Sequence, residues 1–107
     1  MVRAVPVTGA SAAAGAGNLY RIDVPAGARN LQIRTYGGKG QANLMARVGR
    51  APGPDGSNAA LSSTRPGTTQ SVQVTIPLND SYFVRLIGGA GGYQGVGIVA
   101  TYTAAAQ

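Results

Sequence analysis

Three carboxylates are all the acidic chemistry this chain has: Asp23, Asp55 and Asp80. No His and no Cys occur anywhere in its 107 residues. An imidazole general base, a thiolate nucleophile, a His/Cys zinc site and a disulfide framework are therefore all out of reach. Asp23 falls in an alternating apolar–polar segment, Asp55 in a turn-rich loop, and Asp80 at the entry to another apolar segment. Nothing in that spacing presents two of them as an acid/base pair, and no His stands ready to activate a Ser. Three scattered acids also give too few oxygens for a cation. The chain is expected to be no enzyme and to hold no metal or other cofactor.

Two glycine runs invite a phosphate-cradle reading: Gly37-Gly38-Lys39-Gly40 and Gly88-Gly89-Ala90-Gly91-Gly92. A cradle needs a strand, the loop and then a helix N-terminus. Each run is instead followed by another strand-like segment, and Lys39 lacks the flanking residues of a P-loop. Two hairpin turns requiring positive φ are the simpler expectation. Asn79-Asp80-Ser81 has the form of a glycosylation sequon, but a side-chain turn leading into a strand accounts for it.

Eight Arg and Lys39 give a formal charge of +6, which admits an anionic partner. No two arginines are adjacent, and no basic amphipathic helix can be drawn. Phe83 beside Arg85, and Tyr36 beyond Arg34, hint at the stacking and basic pattern of single-strand nucleic-acid binders. One Phe and no Trp make nucleic acid an alternative rather than the preferred partner. No apolar stretch reaches membrane-spanning length, so no membrane partner is expected.

These residues must be carried on strands. Tyr20–Val24, Leu31–Tyr36, Asn43–Val48, Val72–Ile76, Ser81–Ile87 and Val96–Tyr102 are short β-type segments, most with clear alternation, and Gly and Pro punctuate between them. No window shows a 3.6-residue apolar period. The fold class is all-β, an antiparallel sandwich of jelly-roll or Greek-key type. Alternation turns Ile22, Val24, Leu31, Ile33, Leu44, Ala46, Val48, Val72, Val74, Ile76, Tyr82, Val84, Leu86, Val96, Ile98 and Ala100 inward. It turns Gln32, Arg34, Tyr36, Met45, Arg47, Gln73, Phe83, Arg85 and Ile87 outward. Thr8–Gly17 reads as unpatterned Ala/Gly/Ser. Residues 1–17 are thus expected as a linker or N-terminal tail, 18–103 as the sandwich and 104–107 as a C-terminal tail.

Tyr20 to Tyr102 resembles the bacterial pre-peptidase C-terminal domain, a β-sandwich behind the catalytic domains of secreted peptidases and other hydrolases. Three blocks carry the resemblance. Tyr20-Arg21-Ile22-Asp23-Val24-Pro25-Ala26-Gly27 is similar to the family's strand ending in Val-Pro-Ala-Gly. Leu31 to Gly38 is the second block, followed by Gly40-Gln41-Ala42-Asn43-Leu44, a last stretch that the family writes Gly-Asp-Ala-Asp-Leu-Tyr-Val. Asn79 to Leu86 is like its Gly-Thr-Tyr-Tyr-Val-Arg-Val strand. Gln41, Asn43 and Met45 depart from that pattern, which removes any charge role of the two acids.

The resemblance implies a non-catalytic accessory domain of a secreted bacterial hydrolase, linked covalently to a catalytic domain. Such a domain would hold its enzyme on an extracellular polysaccharide or a fibrous, collagen-like protein. The alternative it leaves open is a C-terminal processing or secretion segment removed on maturation. If a polymer binds, the expected ligand-binding residues are Met45, Arg47, Phe83 and Arg85 on two neighbouring strands, with Tyr93 at the rim. Apolar and planar groups beside guanidinium suit sugar faces and extended peptide alike. The competing expectation is that Met45, Phe83 and Ile87 pack beneath the loop from Arg50 to Gln70.

Overall fold

A computed structural model describes residues 6–50, 53, 59, 61–75, 77 and 80–103. Within them run seven strands: β1 (Val7–Ala12), β2 (Gly17–Asp23), β3 (Arg29–Tyr36), β4 (Lys39–Val48), β5 (Leu61–Ser63), β6 (Ser71–Val74) and β7 (Ser81–Thr103). Every pairing is antiparallel. Among the described residues no helix is long and apolar enough to cross a membrane.

β7 is the axis of the molecule. Ile87 pairs with Gly17 of β2 on one edge and Asn43 of β4 on the other. Further along, Ile98 pairs with Val7 of β1 and Thr35 of β3. β1 and β2 therefore lie end to end along one edge of β7, and β3 and β4 along the other. β5 extends the sheet beyond β4, and β6 beyond β3. Two four-stranded halves result, β2-β7-β4-β5 and β1-β7-β3-β6, with one long strand in common.

That shared strand cannot be straight. At ~3.3 Å per residue its 23 residues would reach about 76 Å, yet the longest dimension of the molecule is 46 Å. The bend brings Val84 and Leu86 of the first half into one core with Val96 and Ile98 of the second, together with Ile22, Leu31, Ile33 and Leu44. The antiparallel sheet is thereby nearly closed into a barrel-like sandwich, the all-β class expected. Its buried face follows the alternation, with Val48 and Val74 half-buried; Ile76 lies outside the described residues. Ile87 is the exception among the outward set, at 7% exposure.

The glycine runs form the bend rather than two hairpins. Gly37 and Gly38 each have φ of 69°, but β3 and β4 do not pair with each other. Tyr36 opposes Gly97 and Lys39 opposes Gln94, so the ladder to β7 resumes in the same register after the two glycines. Beyond it, residues 89–92 of β7 bulge out against Gln41 alone. Gly40 and Gly92 both have positive φ, 106° and 71°. A Cβ on Gly40 would overlap the Gly92 carbonyl oxygen, and one on Gly92 the carbonyl oxygen of Ala12. Three backbones approach so closely here that only glycine fits. A glycine run suggests a hairpin because tight turns need positive φ; a strand crossing from one half-sheet to the other uses the same residues.

Two expected loops also carry strands. Val7–Ala12, within the expected tail, pairs with β7 as β1, and Ala10 is buried in the core. A ladder is made by backbone groups, so a strand with Ala and Gly side chains can complete it without any apolar pattern. Leu61–Ser63 forms β5 in the expected long loop, opposite Leu44–Ala46.

Candidate binding surfaces

Register brings four of the five expected residues together. Met45 lies directly opposite Arg85, and Arg47 opposite Phe83. On the far edge of β7, Leu19 opposes Arg85 and Arg21 opposes Phe83. The outer face of this half-sheet therefore presents two rows, Leu19–Arg85–Met45–Ser62 and Arg21–Phe83–Arg47. Neighbours within a row stand ~5 Å apart at Cβ, close enough for stem packing and guanidinium–ring contact. Leu19 is 48% exposed, and Met45, Arg47, Phe83 and Arg85 are half-buried. Leu19 and Arg21 were not among the expected residues, since only the pairing of β2 with β7 reveals them.

Tyr93 does not join this surface. It is 4% exposed and part of the core. Its hydroxyl accepts from Asn18 Nδ2 at 2.7 Å and donates to the Leu86 carbonyl at 3.1 Å. Burial pushes its pKa above the usual tyrosine value; the Asn18 hydrogen bonds oppose that rise. Burial, and then the neighbouring Tyr93, raise Tyr20 likewise. Tyr93 looked like a loop residue because it follows the glycine run, but the run is the bend of β7 and Tyr93 sits on its concave side.

Two of the carboxylates meet around one serine. Ser81 Oγ donates to Asp23 Oδ1 at 2.6 Å, and Ser81 N to Asp80 Oδ1 at 2.7 Å. Asp23 also pairs with Arg21 Nε at 3.4 Å, with both side chains more than half exposed. The arrangement ties the ends of β2 and β7 together. Among the described residues no group of three or more His, Cys, Asp or Glu could hold a metal ion; Asp55 lies outside them.

The second half-sheet carries a more enclosed feature. A cleft of about 290 Å³ is lined by Arg34, Thr35, Tyr36, Arg65, Thr69, Gln70 and Ser71. Its floor is held by Gln70, 1% exposed. Gln70 Oε1 accepts from Ser63 Oγ at 2.6 Å and Arg65 N at 2.9 Å, while Nε2 donates to the Arg65 carbonyl at 2.5 Å. The Gln70 main chain is fixed in turn by Thr35, whose Oγ1 accepts from Gln70 N at 2.9 Å and donates to Thr68 O at 2.6 Å. From the other half-sheet, Gln41 Nε2 reaches the Arg65 carbonyl at 2.7 Å and Gln41 Oε1 accepts from Gly67 N at 2.8 Å. Strand alternation puts Tyr36 and Arg34 together in the sequence, but nothing there marks Arg65, because loop closure through two glutamines leaves no local pattern.

No protein-family profile matches this chain, and no solved structure matches it significantly. It is 36% identical over 101 residues to alkaline serine exoprotease A of Vibrio alginolyticus. That alignment covers 92% of the chain but 18% of the protease. The chain is thus similar to a small part of a larger protease.

Proposed function

We propose that this chain is a non-catalytic accessory domain of a secreted bacterial peptidase, of the pre-peptidase C-terminal type. The observation that carries the reading is the mismatch of coverage: nearly the whole chain aligns, and only 18% of the exoprotease does. A Ser-His-Asp triad needs a histidine, and this chain has none to give. The catalytic machinery belongs to another part of such a protein, joined covalently to this one. The localisation that follows is extracellular.

Its task on this reading is to hold the peptidase on an extracellular polymer, a polysaccharide or a collagen-like protein. The outer face built from Met45, Arg47, Phe83 and Arg85, widened by Leu19 and Arg21, supports that role. It mixes apolar surface with guanidinium groups along three adjacent strands, a surface that can stack on a sugar face or an extended peptide and donate hydrogen bonds to it. Tyr93 is left out of the surface because it is buried.

The test is retention of the domain on insoluble chitin, cellulose and fibrillar collagen, with the Phe83→Ala/Arg85→Ala double variant alongside. Retention on at least one, lost in the double variant at unchanged melting temperature, is the expected result. Retention on none overturns the targeting role and favours a processing segment. Unchanged retention in the double variant moves the site off this face.

A further inference from the structure

Arg34 and Arg65 are both exposed, and among the described residues neither guanidinium has a hydrogen bond or ion pair. They come from distant parts of the chain and line one cleft. Three side-chain hydrogen bonds from two glutamines clamp the main chain of Arg65. A solvated surface arginine needs no such fixing, and burying a glutamine is costly unless every polar atom is satisfied. The clamp gives Arg65 a fixed origin beside Arg34, which is how a recognition residue on a loop is pre-organised.

The rest of the cleft adds a ring and hydroxyls. Ser71 lies directly opposite Arg34 on β6, and Thr69 completes the rim. Tyr36 follows two residues after Arg34 on the same face of β3 and opposes Gly97. A Cβ on Gly97 would stand 2.6 Å from Tyr36 Cζ and 2.9 Å from its hydroxyl oxygen. The ring therefore lies down over the glycine, held against the sheet, and remains 41% exposed. Neither described carboxylate lines the cleft; Asp23 and Asp80 are both engaged with Ser81.

We infer that this cleft is a binding site for an acidic sugar unit, a ring bearing a carboxylate or sulfate. Two guanidinium forks suit an oxyanion, the held phenol offers a platform for a pyranose ring, and Ser71 and Thr69 offer partners for ring hydroxyls. At about 290 Å³ the space lies just below the usual range of small-molecule pockets, the scale of one sugar rather than a long segment. The site is on the half-sheet away from the Phe83 face and does not depend on it.

The test is calorimetric titration of the whole domain with oligogalacturonate, a sulfated dextran oligomer, neutral dextran and polyglutamate. Saturable binding of oligogalacturonate or of the sulfated oligomer, and none of neutral dextran, is expected; the stronger of the two identifies the oxyanion. Arg34→Gln and Arg65→Gln should each weaken it about tenfold or more with the melting temperature unchanged. Tyr36→Ala should weaken it as well, while Phe83→Ala/Arg85→Ala should leave it intact. Binding of polyglutamate as tight as that of the acidic sugars, indifferent to Tyr36→Ala, would replace the sugar by an acidic peptide and overturn the inference. So would no binding, or binding untouched by the two arginine variants. Failure here would leave retention on a neutral or fibrous polymer through Phe83 and Arg85 unaffected.

Discussion

The side-chain amide of Asn18 meets the hydroxyl of Tyr93 at 2.7 Å, across the bend of the longest strand. Asn18 belongs to β2 on the first half-sheet, and Tyr93 to the part of β7 that has already passed through the bulge. The same amide donates to Ser11 O of β1 at 3.2 Å, and the Tyr93 hydroxyl donates to Leu86 O before the bulge. One amide and one phenol thus join both stretches of the β1–β2 edge to both halves of β7. The glycines permit the bend, and this pair of side chains bridges it.

Tyr93→Phe removes that junction while keeping the ring. The Leu86 carbonyl loses its side-chain donor and the Asn18 amide keeps only Ser11. Leaving buried polar groups short of partners costs roughly 1–3 kcal/mol, and urea unfolding should show a loss of that size with an unchanged slope. A variant as stable as the parent would show that the bend is held by backbone alone.

Alkaline pH should act through the same residue. Burial raises the pKa of Tyr93 and Tyr20 above 10.0 in the folded state, so the folded protein holds those protons more tightly than the unfolded chain does. The stability this contributes is fully present below the unfolded tyrosine pKa and is lost as pH rises through the folded values. Melting temperature should be level to about pH 9.5 on this account and fall above about pH 10. The fall should be shallower in Tyr93→Phe. Absorbance of tyrosinate, followed in parallel, should show part of the titration delayed until unfolding.

The strands and their faces were legible in the sequence because side-chain alternation survives folding: Leu44, Val84 and Ile98 are each fully buried where the period puts them. Met45 and Arg85 fall on neighbouring strands as the resemblance implies, and the register that sets them opposite each other comes from the structure. What alternation does not encode is where a ladder continues through a glycine run. Tyr93 consequently looked like a rim residue, and β7 like two strands. β1 is hidden in the sequence for a related reason, since Ala10 contributes a core methyl but no recognisable pattern surrounds it. The Arg65 clamp depends on Gln41 and Gln70, polar residues in places where a sequence suggests only solvent.

Gly92 separates the bend from an ordinary turn. Gly92→Ala must accommodate both a left-handed φ and a Cβ driven into the Ala12 carbonyl. Gly91→Ala has a similar φ of 79° but open space around it. The second change should cost on the order of 1 kcal/mol from backbone strain alone, and the first clearly more, because backbone rather than a flexible side chain must move. Equal melting temperatures for the two variants would mean that the three strands do not meet at Gly92.

Deleting residues 1–12 should destabilise the domain, although the segment looks like a linker. β1 is the outer partner of the second half of β7, pairing at Ile98, Val96 and Tyr93. Without it, the N–H and C=O groups of an otherwise buried strand face water along a new edge. The core also loses Ala10, and Asn18 loses its bond to Ser11. Each kcal/mol lost in a domain of this size lowers the melting temperature by about 4–8 °C, so a drop of several degrees is expected, with a tendency to associate through the opened edge. Ala10→Asp, which keeps the full chain length and places an unpaired charge in the core, should reproduce the drop. Truncated and substituted chains that both melt with the parent would return β1 to the role of a tail.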